Sequence, residues 1–368
     1  MKTPKIIIVG AGPIGCYLAQ LLRRKGLDSV LIEEDKSLGE PVHCAGLLGR
    51  KVFDEPQISL SKKSIVNTIN EGMLYLGGQN LLLKRKKVAY VVDREIFDKE
   101  LGKGLSIHFG TKFLGLEKQK NYYLIETNQG ELKADIVVGA DGANSAVRGF
   151  VTNKKMNYLT GVQFRMLINP PRKNDRVSAY FRKPYFYWII PENKDIIRVG
   201  VLSKNPYQDL LNFINKEQIK GKILKKYAGV VPLNHFFPLF KDKIFLLGDS
   251  AAQIKPFTYG GIYMGMRAAE LLAGCIVEKK LKKYELLWRQ KYQKEIKISL
   301  TAREVFQNLS QKELNRIFSL AKKHKKIIEK KGNFEKHSLL VKEFMKESVF
   351  SRDILTILLK IIKAGVRK

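Results

Sequence analysis

Cysteine is scarce in this chain of 368 residues: three in all, Cys16, Cys44 and Cys275. They are odd in number and far apart, so no disulfide framework organises the fold, and a reducing, cytoplasmic setting is the default. No cysteine cluster of the kind that holds an iron–sulfur centre occurs, and no metal site is expected. Acidic residues are also few. The 35 Asp and Glu stand against 67 Lys and Arg, a formal net charge of +32. That charge suits an anionic membrane, a nucleic acid or an acidic protein, and is silent on fold. Long apolar runs are missing as well. The stretch from Ile6 to Leu22, preceded by Lys2 and Lys5, has the length of a signal peptide or membrane span. Glycines and Pro13 interrupt it, and no small-residue cleavage site follows. Nucleic-acid binding has only the net charge behind it, because no reader motif accompanies the basic residues.

What is there begins with composition. Hydrophobic residues make up 45% of the chain, which excludes disorder and supplies core for two domains or one large composite domain. At the amino terminus, Ile6-Ile7-Ile8-Val9 is a short β-branched run of the kind buried in a parallel sheet. Gly10, Gly12 and Gly15 follow as G-x-G-x-x-G, with Ile14 inside the motif. The first glycine permits the turn, the second lets backbone approach a pyrophosphate, and the third lets helix pack on strand. The spacing predicts a helix to about Lys25, ended by Gly26, and a second strand over Val30-Leu31-Ile32. Glu33 closes that strand, where a carboxylate can accept hydrogen bonds from ribose hydroxyls. Strand, turn, helix, strand and acid in register read as a dinucleotide site. The fingerprint alone leaves FAD and NAD open.

Two later segments bear on that choice. Ala134 to Arg148, "ADIVVGADGANSAVR", is a strand turning at Asp141-Gly142 into a helix expected to start at Asn144 or Ser145. Lys243 to Ala273 is a strand ending at Gly248-Asp249, a loop with Pro256, Gly260 and Gly261, and a helix. Together with the first fingerprint these motifs resemble the FAD flavoproteins of the p-hydroxybenzoate hydroxylase type. The resemblance implies FAD as cofactor. It puts Asp141 and Gly142 by the pyrophosphate and ribityl chain, and Asp249 on the ribityl hydroxyls. It gives Gly260, Gly261 and Ile262 the anionic side of the flavin ring, at a helix start.

The resemblance narrows. "VDREIFDKEL", from Val92 to Leu101, is similar to the V-D-R-x-x-F-D-x-x-L segment of the geranylgeranyl reductase family, which would bring Arg94 to the FAD. "PVHCAGLLG", from Pro41 to Gly49, resembles that family's P-x-x-C-A-G-G-L, and "YFYWIIP", from Tyr185 to Pro191, its Y-x-W-x-F-P. "YELLWRQKY", from Tyr284 to Tyr292, is similar to the helix after its flavin-binding segment. The match runs over about residues 1 to 290. Leu47, Phe186, Ile190 and Tyr259 depart from it, Tyr259 standing for the first of three glycines before Ile262.

By this resemblance the cysteine loop lies beside the flavin. Cys44, Ala45, Gly46 and Leu47 would contact the ring, and Ile14 and Phe113 would also touch the FAD. Cys44 would position the substrate or supply a proton, against the bland alternative of a small buried hydrophobe. Tyr187, Trp188 and Tyr259 would line the tunnel for a lipid chain, although aromatics in a strand also serve as plain core. His43 is expected to be a loop contact.

The expected architecture is α/β. A Rossmann-like FAD-binding domain covers 1–62, 88–158 and 240–280, an antiparallel β-sheet substrate domain covers 63–87 and 159–239, and a Lys-rich helical tail covers 281–368. The implied function is reduction of geranylgeranyl double bonds, on a membrane lipid or a prenyl diphosphate, by hydride from reduced FAD. No second nucleotide fingerprint appears, so the electron donor would be a reduced ferredoxin or NAD(P)H. The rivals are an FAD-dependent aromatic monooxygenase using NAD(P)H and oxygen, and a non-catalytic lipid-binding protein on the same scaffold. The terminal helix from Ser351 has an apolar face with lysines beside it. It suits either a membrane surface, as a peripheral anchor, or the protein core.

Overall fold

The computed structural model describes residues 5–336, 338 and 339. The terminal helix expected from Ser351 lies outside them.

The chain opens with β1 (Ile6–Val9), α1 (Pro13–Arg24) and β2 (Ser29–Ile32). Next come β3 (Leu47–Gly49), α2 (Lys51–Asp54) and the long strands β4 (Ile65–Leu76) and β5 (Gln79–Val92). After α3 (Arg94–Gly102) and β6 (Ser106–His108), three short strands follow, β7 (Phe113–Lys118), β8 (Tyr123–Thr127) and β9 (Gly130–Ala134). Then come β10 (Ile136–Gly139), α4 (Arg148–Val151), β11 (Tyr158–Ile168), β12 (Arg176–Arg182), β13 (Tyr185–Pro191) and β14 (Ile196–Ser203). The chain continues with α5 (Pro206–Lys216), β15 (Gly221–Pro232), β16 (Phe240–Lys241) and β17 (Ile244–Leu246). It closes with α6 (Ile262–Val277), α7 (Lys283–Asn308), α8 (Gln311–Lys323) and α9 (Lys325–Lys331).

Two large sheets divide these strands. The first has the order β16-β17-β10-β1-β2-β6 and is parallel apart from β16. Its central strands are wholly buried, which explains why they read as unbroken apolar runs. Helices α1 and α6 and the small β7-β8-β9 sheet pack on the same core as these strands. Burying each Ile or Leu there contributes about 1.5–3 kcal/mol.

The second sheet runs β15-β11-β14-β13-β12-β4-β5-β3. It is antiparallel except that β12 lies parallel to β4. Helix α5 covers one face through Leu210 and Phe213, while α8 covers β4 and β5 through Leu314 and Phe318. The carboxy-terminal helices are therefore partly core elements, with a capping box at Ser310 and Glu313 starting α8.

Two sequence expectations shift. Strand β5 crosses the boundary expected at 88, because its last residues pair with β3 of the cysteine loop, Val91 opposite Leu47. The helix expected from Asn144 or Ser145 begins only at Arg148. The Asp141 carboxylate accepts the Val147 N–H and the Ser145 hydroxyl accepts the Arg148 N–H, which fixes a turn where a helix would have started.

Candidate functional site

The first glycine turn is built by steric need. Gly10 has φ of +98°, and a side chain there would meet the Ala140 carbonyl oxygen at 2.5 Å. A Cβ on Gly15 would lie 2.1 Å from the Gly10 carbonyl oxygen. Gly12 faces open space, as does Gly142, which has φ of +75°. Ile14 fills the gap between α1 and α6, since a Cβ on Gly265 would meet its side chain at 2.8 Å. Its side chain packs against these helices while remaining partly exposed.

Glu33 sits at the end of β2 and accepts the Ala11 N–H at 2.7 Å and the Asp35 N–H at 3.1 Å. Burial pushes its carboxyl above the ordinary range. Thr111 donates its N–H to the Glu33 carbonyl, which leads the chain past Glu33 to buried Phe113, packed edge-on against Phe150.

Opposite this end, the Asp-Gly and Gly-Asp turns are tied together by Arg148. Its guanidinium donates to the Ser250 carbonyl at 3.1 Å, to the Ala143 carbonyl at 2.8 Å and to the Tyr158 hydroxyl at 2.7 Å. Asp249 is half-buried, and burial raises its carboxyl to about 6 despite the nearby Arg94. Among the described residues no hydrogen bond reaches its side chain. A Cβ on Gly261 would meet it at 2.5 Å, so α6 starts immediately beside the acid.

The cysteine loop meets this corner. Cys44 is half-buried, with its Sγ accepting the Gly46 N–H at 3.4 Å. The Arg94 guanidinium lies beside the thiol, and it is gripped by Asp98 at 2.8 and 3.1 Å. Burial works against the charge on Arg94, but Asp98 and Cys44 hold it firmly protonated. Cys44, the Arg94–Asp98 pair of α3 and Asp249 therefore converge from three separate stretches of chain.

The wall beyond the loop is a face of the eight-stranded sheet. Trp188, Ile190 and Leu202 cluster there with Ala45, Leu47, Phe186, Tyr259 and Phe334. Trp188 is oriented by its indole N–H, which donates to Gln163 at 2.8 Å. Tyr187 is not part of this wall. Strand alternation turns it to the opposite face, where it stacks on Phe213 of α5 at 4.7 Å, so it is core rather than tunnel lining. Tyr259 has φ of +59°, the left-handed conformation that glycine adopts freely and that costs a tyrosine energy. Its ring faces the Arg303 guanidinium at 6.0 Å.

Sequence reasoning missed the groups that hold this wall. Arg165 and Arg198 stand directly opposite one another on β11 and β14. Glu192 lies between them and accepts from Arg165 at 2.8 Å and from Arg198 at 2.7 Å. Burial would raise Glu192, but the two guanidinium groups hold its carboxyl below the ordinary range. Arg198 then donates to the Ala45 carbonyl at 2.9 Å and the Val92 carbonyl at 3.0 Å, pinning the cysteine loop to the sheet. Gly46, with φ of +70°, is needed because a Cβ there would lie 2.0 Å from that guanidinium. Two arginines inside apolar strands were the available signal. Lys255 and Glu335, both buried, pair at 2.9 Å and bring Phe334 against the loop that carries Tyr259. Gly49 lies under this contact, since its Cβ would meet Glu335.

The residues present fit FAD. Open space over Gly12 and Gly142, an acid at each end of the cradle, and an Asp249 carboxylate with no hydrogen bond among the described residues match what an adenosine, a pyrophosphate and a ribityl chain require. Residues 3–46 match the model of an FAD binding domain. Fold and site together define an FAD flavoprotein of the p-hydroxybenzoate hydroxylase type.

A digeranylgeranylglycerophospholipid reductase of Methanococcoides burtonii is 30% identical over 356 residues, covering 84% of this chain and 85% of that one. An uncharacterized protein of Methanocaldococcus jannaschii is 31% identical over 366 residues, covering 91% and 93%. The crystal structure of a geranylgeranyl bacteriochlorophyll reductase-like protein from Thermoplasma acidophilum shares the fold, with a TM-score of 0.80 at 23% identity over 94% of this chain and 99% of that one. The chain belongs to the geranylgeranyl reductase family of FAD-dependent oxidoreductases, alongside the digeranylgeranylglycerophospholipid reductases.

Proposed function

We propose that the protein reduces isoprenoid double bonds, with geranylgeranyl chains of a glycerophospholipid as the substrate class and a prenyl diphosphate as its soluble counterpart. The observation that carries the reading is the meeting of the cysteine loop, Arg94 and Asp249 beside an apolar wall of Trp188, Tyr259 and Leu47.

Bound FAD, once reduced, supplies a hydride. The chain's own residues do the rest. Gly10, Gly12, Gly15, Asp141 and Gly142 hold the pyrophosphate, Glu33 the ribose, and Phe113 flanks the adenosine end. Asp249 would take the ribityl hydroxyls, giving its half-buried carboxylate the hydrogen bonds that no described residue supplies. The start of α6, at Gly260, Gly261 and Ile262, favours negative charge on the ring through its backbone N–H groups and helix dipole. Ala45, Gly46 and Leu47 bring backbone against the ring. Trp188, Tyr259 and Leu47 exclude water and align an apolar chain. An isolated alkene accepts hydride only as a proton reaches the neighbouring carbon, and Cys44 Sγ is the group we assign to carry it, with Arg94 fixing the thiol's position.

A reducing partner is required. The site has no second nucleotide fingerprint, so a reduced ferredoxin or loosely bound NAD(P)H fills that role, and the basic surface suits an acidic ferredoxin. The substrate class implies that the enzyme works at an anionic membrane surface. No helix among the described residues is long and apolar enough to cross a membrane.

The test is anaerobic. Protein loaded with FAD and reduced with dithionite is mixed with geranylgeranylated phospholipid, and lipid mass is followed. A gain of two hydrogens per double bond is expected. Unchanged lipid, with NAD(P)H and oxygen consumed on an aromatic substrate instead, would transfer the chain to the monooxygenases.

A further inference from the structure

Strand β15 forms the outer edge of the eight-stranded sheet and divides into two halves. From Tyr227 onward it becomes more buried, apart from exposed Ala228, and ends at buried Pro232. From Gly221 to Lys226 every residue is exposed. Large apolar side chains are among them, Ile223 at 36% and Leu224 at 40% exposure. Exposed apolar groups flank this edge on both sides of the sheet, Tyr207 of α5 at 47% on the face that α5 covers and Leu167 of β11 at 44% on the opposite face. Lysines are interleaved with these groups. Lys220 and Lys222 flank Gly221, and Lys226 donates to the Tyr207 hydroxyl at 2.9 Å. Beyond the strand end, Lys220 accepts the Asn169 N–H at its carbonyl, which brings the basic 169–173 turn alongside.

Lysines on an exposed edge strand have an ordinary role, since they discourage pairing with another sheet. That role does not account for aliphatic side chains left open between them. An acidic protein partner would match the charge, yet it would give the four apolar groups no particular environment. The boundary between headgroups and acyl chains satisfies both, because it offers anionic charge, apolar volume and water for the unpaired strand edge.

The other half of the strand gives the patch its purpose. The Ala228 carbonyl lies 2.7 Å from His43 Nδ1, and Lys225 reaches Glu40 at 3.6 Å. A Cβ on Gly229 would meet the His43 carbonyl oxygen at 2.9 Å. His43 precedes Cys44. At about 3.3 Å per residue, Leu224 and Ala228 are separated by about 13 Å along the strand. One strand therefore joins an amphipathic surface to the loop that carries Cys44.

We infer that Lys220 and residues 221–226 of β15, flanked on the two faces of the sheet by Leu167 and Tyr207, form a docking edge for an anionic lipid surface, positioned to pass lipid chains to the cysteine loop. The biological purpose rests on the lipid-reductase reading, but the binding itself is testable without it. The FAD-loaded full chain is sedimented with vesicles of saturated phosphatidylcholine, with and without phosphatidylglycerol. These contain no isoprenoid substrate. Wild type should bind the anionic vesicles and lose affinity as salt is raised. Lys220→Glu with Lys222→Glu should lower that affinity about tenfold or more. Ile223→Ser with Leu224→Ser should lower it by a similar factor while leaving the salt dependence intact. Retained flavin absorbance confirms that each variant is folded. Equal vesicle binding by wild type and both variants would overturn the inference, as would absence of binding by wild type. Loss of reduction by an acidic electron-donor protein in the lysine variant, with vesicle binding unchanged, would also overturn it and give the edge to a protein partner.

Discussion

On the cofactor side of the site, the geometry is carried by main chain. Gly10 and Gly15 leave no room for a Cβ, Gly12 and Gly142 leave space for a ligand, and Glu33 takes a backbone N–H. On the side we assign to the substrate, side chains do the holding. Arg198 and Glu192 fasten the cysteine loop, Gln163 orients Trp188, and Lys255 with Glu335 brings in a segment some 80 residues away. The pyrophosphate of FAD is the same whatever the substrate, so a fixed backbone cradle suffices for it. A lipid chain demands a shaped apolar wall, and that wall is assembled from ion pairs between distant elements.

The largest effect should follow from breaking the backbone side. Gly15→Val would drive a side chain into the Gly10 carbonyl. Purified protein should lack flavin absorbance, an affinity loss of more than about a hundredfold. Retained FAD in this variant would mean that the turn is not the cradle.

Next comes the ionic side. Arg198→Met leaves Glu192 buried with only Arg165 and frees the Ala45 and Val92 carbonyls. Unfolding in urea should show a loss of about 2 kcal/mol, because Glu192 keeps one of its two cationic partners while two backbone carbonyls lose their donor. FAD should still bind, since the pyrophosphate and ribose cradle is untouched and only the Ala45 carbonyl of the cysteine loop is released. If flavin were lost and stability unchanged, the division between the two sides would fail.

Asp249 sharpens the comparison through pH. Its folded pKa of about 6 lies above the ordinary 3.8. Between about pH 4 and 6 the folded, FAD-free chain keeps a proton that the unfolded chain has released. Stability is then greatest below that window and falls as pH rises through it, by at most about 3 kcal/mol. Thermal melts of FAD-free protein should show this decline, and Asp249→Asn should flatten it while weakening FAD binding.

The smallest effect separates two adjacent aromatics. Tyr187→Phe should leave lipid turnover unchanged and stability within about 0.5 kcal/mol, because its hydroxyl has no hydrogen-bond partner among the described residues. Trp188→Ala should lower turnover on lipid and cost about 3 kcal/mol by opening a cavity. Equal effects on turnover would contradict the assignment of the two faces.

Local sequence made one side readable and left the other hidden. Ile6–Val9, the helix to Arg24 and the helix start at Ile262 follow from short-range pattern and turn chemistry, and they were legible. The partners of Arg198 and Lys255 are set by strand register and by the return of the chain near residue 335, which no local window contains. Tyr187 was misread because its neighbour Trp188 belongs to a motif, while a strand sends adjacent side chains to opposite faces. The boundary near residue 88 was misplaced because β5 serves the large sheet and the cysteine loop at once.

The most direct test is a single turnover. FAD-loaded wild type and Cys44→Ser are reduced without oxygen and mixed with geranylgeranylated phospholipid, following flavin absorbance and lipid mass together. The account predicts that wild type reoxidises one flavin per double bond saturated, while Cys44→Ser keeps its FAD and reacts about a hundredfold more slowly. Reduced flavin that persists in wild type beside unchanged lipid would contradict the reductase, and equal rates in the two proteins would remove Cys44 from the chemistry.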